Sequence, residues 1–597
     1  MQERPTRSEV PVELTWNLDD IFPSMEAWEA ELQALGGLIG TVTRFKGRLH
    51  EGPKVLLECL EASEAIHVRL VKVTSYASLG QSADGTSPVN QAMAGKASAL
   101  ATQIRAETSF IQSEALALPG DTLQKYLDEE PGLAPFRLTI EKMIETKPHR
   151  LHPEAEMALA ALGEVLDAPA MIYQRSRVAD MPFMPVTDSK GNRQPMSFGR
   201  HEDSADTVLR RNAYASSTEA LKCYQNTYGA TWGTEVKKNV VMARLRHYDS
   251  AIEMLLDRQE VTVDIYNNLH DVILKELAPH MRRYAQLRKQ VLGLDKMLYC
   301  DIEAPLDPEF NPATTYQEAC GIILGGVSVL GPEYAGIIER GLKNRWVDLA
   351  DNVGKQTGAF CNSVYGVHPY VCMTWNNRLR NALTLAHELG HAGQGVLSQR
   401  YQSFENTRPT MFFIEAPSTI NEILVGHYIL SEKADVRTRR WLIMQLLKTY
   451  HHNFVRHLIE GELQRRIHPL AEKGQPITAS VLSRVQGEIL QEFWGGEVEI
   501  DDGARLVWMH QVHYYRGLYP YTYSAGLTIG TAVARAIREQ GASAAQRWVE
   551  VLKAGGTRKP LELAKMAGVD MSRPDPIREA VGYVGSLVDE VVRSFQA

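Results

Sequence analysis

The sequence is poor in cysteine. Its six residues (Cys59, Cys223, Cys300, Cys320, Cys361, Cys372) are scattered over 597 positions, and none forms a C-x-x-C pair. That pattern offers no disulfide framework and reads as reduced, buried thiols. The chain also lacks any apolar run of 18 residues, so no membrane span is expected. The opening residues MQERPTRSEV have no apolar core, so no secretory leader is expected. Positive charge is not in excess: 64 Lys and Arg stand against 72 Asp and Glu, a net charge of -8. That balance argues against nucleic acid as a partner. Together these absences lead to the expectation of a cytoplasmic enzyme with neither nucleic acid nor membrane as a partner. What remains is ordinary for a globular protein, with 44% hydrophobic and 23% charged residues and ample length for a large core.

Residues 1–22 are largely polar and read as an extended lead-in. From about Ser24 to Glu145 apolar residues recur at three- and four-residue spacing, divided by Glu51-Gly52-Pro53, and Pro119-Gly120 closes a long Ala-rich helix from Asn90 to Leu118. This predicts a helical N-terminal domain, taken here as residues 1–200, that could cover a catalytic domain of residues 201–597. Met181 to Phe198 breaks the rhythm, and its Asp188-Ser189-Lys190-Gly191-Asn192 turn signal predicts a small hairpin. Met297–Ile302 and Trp346–Leu349 are short strand candidates. The run GKQTGAFCNSVYGVHPYVCMTW, punctuated by Gly354, Gly358 and Gly366, predicts a hairpin or small sheet. A strand edge there could hold an extended peptide, and Gly366 is assigned to that substrate-binding side. The isolated His247, His270 and His280 are read as structural, as are His451, His452, His457 and His468.

Thr384 to His391 reads TLAHELGH and contains His387-Glu388-x-x-His391. Asn377 to Val396 has helical apolar spacing, and residues four apart on a helix lie one turn above each other. The two imidazoles can therefore aim at one point, as the first two ligands of tetrahedral zinc must. Glu388, next to the first ligand, is placed to take a proton from water at such a site. Zinc needs a third protein ligand. MFFIEAPSTINEILVGHYIL supplies it: Pro417 suits a helix's first turn, and Glu415 begins that helix 24 residues after His391. Glu415 is assigned as the third ligand, with Glu405 a weaker competitor. Glu422, two turns on, is assigned as hydrogen-bond partner to a ligand imidazole, fixing its tautomer.

HQVHYYRGLYPYTYSAG, from His510 to Gly526, places five tyrosines in 17 positions. Phenols and imidazoles can hydrogen-bond the oxyanion that forms when water attacks a peptide carbonyl.

TLAHELGHA followed by FIEAPSTINE closely resembles the oligoendopeptidase F group of thimet-type zinc metallopeptidases. The resemblance extends upstream through GKQTGAFC and downstream to TYSAG. It implies a mostly helical, clam-like body with a deep channel and a small β-sheet beside the H-E-x-x-H helix. It also implies one Zn2+ per chain and internal cleavage of short, flexible oligopeptides. By match to the group's His- and Tyr-rich loop, His513 would contact substrate and Tyr521 would stabilise the tetrahedral intermediate. Tyr514 is a further candidate, and His510 could replace His513. A metallocarboxypeptidase or dipeptidase of similar helical architecture is the rival enzyme reading, and an inactive peptide-binding protein is the rival from another class.

Overall fold

Helices form most of the chain, as the apolar spacing predicts. The computed structural model describes residues 4–196, 201–432 and 435–596. Three long helices, Met25–Thr43, Pro53–Ala83 and Pro88–Thr108, open the N-terminal block. Their starts follow sequence punctuation. The Ser24 hydroxyl accepts from the Ala27 amide, and Pro53 and Pro88 occupy first turns. These helices and the shorter ones down to Thr146 share a core of their own, with Trp28, Leu35, Val73 and Ile104 at its centre. A second, much larger core begins at Tyr173 and runs to Val591.

The lead-in is tied to the larger body. Trp16 packs edge-on against Tyr370 with ring centroids 6.1 Å apart, and Arg7 pairs with the fully buried Asp348. Lys355 reaches the same carboxylate at 2.7 Å, so this buried charge is compensated.

β-Structure is slight. Strands β1 (Val186–Thr187) and β2 (Arg193–Gln194) pair antiparallel around the Asp188 turn. Ser197 and Phe198, at the end of the predicted hairpin, lie outside the described residues. Strands β3 (Val347–Asp348), β4 (Phe360–Ser363) and β5 (Pro369–Cys372) form a sheet in the order β3-β5-β4. β3 runs parallel to β5, and β4 antiparallel to it. The expected strand at Met297–Ile302 is instead a tight 3-10 turn, Tyr299–Asp301. Its buried Asp301 accepts the Leu298 amide and pairs with Arg210 and Arg211, which holds the chain in a turn.

The sheet leads directly into the Leu379–Tyr401 helix, which carries the H-E-x-x-H residues and packs on the Ala416–Ser431 helix. Gly390 makes that packing possible: a Cβ there would meet the Pro417 carbonyl oxygen at 2.4 Å. Gly526, on the Pro520–Gln540 helix, plays the same part, since its Cβ would lie 2.7 Å from the Glu415 Cβ. Two glycines thus let three helices converge on Glu415. Among the described residues no helix is long and apolar enough to cross a membrane.

Candidate metal centre

Three side chains converge beside a cavity of about 500 Å³. His387 Nε2 and His391 Nε2 each lie 3.5 Å from the same oxygen, Glu415 Oε2. The two rings are nearly perpendicular, at 82°, so their nitrogens approach that oxygen from different directions. Ligands about 2.1 Å from one ion in a tetrahedron stand about 3.4 Å apart. The spacing, and a donor set of two imidazoles and a carboxylate, fit a divalent metal with a fourth position open to the cavity.

Two of the three are held from behind. His387 turns its Nδ1 toward Glu422 Oε2 at 3.4 Å, and the Thr449 hydroxyl donates to Glu422 Oε1 at 2.6 Å. The Ser418 hydroxyl donates to Glu415 Oε2 at 3.0 Å. Burial opposes the ionised Glu415 and Glu422, but their contacts with the imidazoles win and hold both carboxyls below the usual range. Glu388 is 6% exposed and lines the cavity. Burial pushes its carboxyl up from the ordinary value, against the opposing pull of His387 and His391. Glu405, the alternative ligand, lies elsewhere, with its amide facing Glu64 of the N-terminal block.

The structure rearranges the Tyr-rich stretch. Tyr521 was expected to face the reacting carbonyl, but it is fully buried, and its hydroxyl donates to Gln259 Oε1 at 2.7 Å. The Pro520–Gln540 helix explains this. Residues two apart on a helix point to opposite sides, so Tyr521 faces the core and packs edge-on against Tyr266. Tyr523 faces the cavity instead. Its phenol donates to the Tyr519 hydroxyl at 3.0 Å, and burial keeps it protonated. The available signal was the spacing of Tyr519 and Tyr523, four apart on one helical face.

His513 sits beside Tyr523, ring centroids 5.9 Å apart, with Nδ1 3.8 Å from Glu460 Oε2. His510 and Tyr514 line a neighbouring cavity, and Tyr514 stacks on Trp232 at 4.1 Å. Gly366 stands at the exposed turn between β4 and β5, at φ 73°, with its amide toward Gln399. It does not line the metal-side cavity; Ala359, just before β4, does. His452, read as structural, also lines that cavity, and its imidazole is kept neutral by burial and by His457, with a pKa of about 3.

A model of peptidase family M3 matches residues 200–583, and a model of oligopeptidase F matches residues 114–183. The chain belongs to peptidase family M3. Its oligoendopeptidase F affinity is consistent across relatives. This M3 chain is 33% identical over 590 residues to oligopeptidase PepF of Bacillus subtilis, covering 98% of this chain and 88% of that one. It is 29% identical to the group B oligopeptidase PepB of Streptococcus agalactiae, covering 95% of both. The solved oligoendopeptidase F of Enterococcus faecium superposes with a TM-score of 0.75 at 26% identity, over 96% of this chain and 99% of that one. The helical architecture is that of these peptidases.

Proposed function

We propose that the chain is a zinc-dependent endopeptidase that hydrolyses short, unstructured oligopeptides. The observation that carries this reading is the approach of His387 Nε2 and His391 Nε2 to one oxygen of Glu415. These three residues would hold one Zn2+, which when bound polarises a carbonyl and makes water more acidic.

The chain's own residues perform the remaining work. Glu388, whose carboxyl is raised by burial, takes the proton of the attacking water and passes it to the leaving amine. Tyr523, protonated and facing the cavity, turns its hydroxyl proton from Tyr519 to the carbonyl oxygen as charge develops there. His513 supports substrate from the same wall. Glu422 holds His387 in one tautomer through Nδ1.

The hollow suits flexible peptides. The metal-side cavity shares Glu303 and Arg380 with a larger neighbour of about 630 Å³, and Glu303 and Arg456 with the one lined by His510 and Tyr514. A peptide lying along these adjoining cavities would be extended, which would exclude folded proteins. In this reading residues 1–200 cover the channel and residues 201–597 carry the chemistry. Six free cysteines suit a reducing, cytoplasmic setting.

A fluorescence-quenched peptide blocked at both ends tests the proposal. The zinc-loaded chain should cut it internally, lose activity on chelation and regain it with zinc. Cleavage confined to peptides with a free terminus would favour the metallocarboxypeptidase or dipeptidase reading. Zinc binding with no cleavage of either peptide would favour a peptide-binding protein.

A further inference from the structure

A second convergence of ligands lies on the wall that carries Tyr523. His457 and Glu460 stand three residues apart on the His457–Glu472 helix, so both point to one side. His457 Nδ1 is 2.8 Å from Glu460 Oε2. His513 comes from a distant loop and directs its Nδ1 to the same oxygen at 3.8 Å. That nitrogen is buried and, among the described residues, makes no hydrogen bond. The three ligand atoms all lie within 4.8 Å of one another. We propose that His457, Glu460 and His513 form a second site for a divalent transition-metal cation.

The chemistry fits. Two imidazoles and a carboxylate suit zinc, cobalt or nickel ions rather than calcium or magnesium, which prefer oxygen ligands. Glu460 is buried, so a carboxylate there has little solvent to disperse its charge. His457 is backed through its other nitrogen, which lies 3.0 Å from His452 Nε2, the kind of support that orients metal-binding imidazoles. Its ring stacks on Tyr523, centroids 4.2 Å apart and planes 14° apart. Tyr523 lines the metal-side cavity with Glu415 and stacks on His457, so it borders both clusters. A cation held at the second site would engage His513 and fix its ring beside Tyr523. Excess cation would then slow peptide hydrolysis. That effect on turnover rests on the role proposed above for His513; cation binding itself does not.

Cobalt titration of the full chain separates the two claims. His387→Ala/His391→Ala removes the first cluster. By equilibrium dialysis and the visible absorption of bound Co2+, this double variant should still bind one ion per chain, and the unmodified chain two. Adding Glu460→Gln or His513→Asn to the double variant should weaken binding by at least about tenfold. His513 is partly exposed, so its variant keeps the test valid if Glu460→Gln fails to fold. The proposal is overturned if the double variant takes up no cobalt at millimolar concentration, or if its binding survives both added substitutions unchanged. An unmodified chain that binds one ion, lost with Glu460→Gln, would instead refute the His387–His391–Glu415 site and leave the second one standing.

Discussion

His387 faces two carboxylates through its two nitrogens: Nε2 toward Glu415 at 3.5 Å and Nδ1 toward Glu422 at 3.4 Å. The second contact sets the direction of the first, because a proton held on Nδ1 leaves Nε2 free to bind metal. Glu422→Ala should therefore weaken zinc binding by about 10- to 100-fold without removing a ligand. Competition with a chromogenic chelator reads this directly. Zinc affinity equal to that of the parent would show that Glu422 does not orient the ring.

Tyr521 and Tyr523 offer a paired test within one helix. Tyr523→Phe should lower turnover by about 100- to 1000-fold with little change in zinc content, as expected for loss of an oxyanion donor. Tyr521→Phe should leave turnover close to the parent and cost about 1 kcal/mol of stability, since its hydroxyl points into the core and donates to Gln259. Steady-state kinetics with thermal unfolding of both variants distinguishes them. The reverse assignment follows if Tyr521→Phe is the one that loses turnover.

The two tyrosines also mark the limit of what the sequence makes legible. His387, Glu388 and His391 share one helix, and Glu415 caps the start of the Ala416–Ser431 helix packed against it, so regular helical geometry brings them within reach of one ion. The cores follow in the same way from apolar spacing. Which face of the Pro520–Gln540 helix meets the cavity is different. It depends on Tyr266, Gln259 and Phe412 packing against Tyr521, contacts that no local spacing encodes. The grouping of His452, Glu460 and His513 is invisible for a related reason: a helix and a distant loop meet only in the folded chain. Asp301 shows the opposite failure, where a β-prone run becomes a turn because two arginines hold its carboxylate.

Acid should weaken the metal-free chain in a specific window. Burial tends to raise the Glu460 carboxyl, but His457, His513 and Arg456 outweigh it and hold it at about 2, against an ordinary value of 4.5. Glu303 is lowered too, its burial outweighed by His451, Lys448 and Arg456. A depressed folded value means that the stabilisation is complete above about pH 4.5 and is lost as pH falls toward 2. For Glu460 the contribution is on the order of 3 kcal/mol. Urea unfolding should show Glu460→Gln well below the parent at pH 7, with the gap narrowing between about pH 4.5 and 3. A gap independent of pH would mean that the ionised carboxylate is not what stabilises this wall.

The most direct test of the account is Glu388→Gln, which keeps the size of the side chain but removes its capacity to accept a proton. Zinc content should remain at one ion per chain in dilute zinc, because Glu388 is not among the three ligands. Turnover of the doubly blocked peptide should fall by at least about 100-fold. A variant that holds its zinc and cuts the peptide at close to the parent rate would contradict the mechanism.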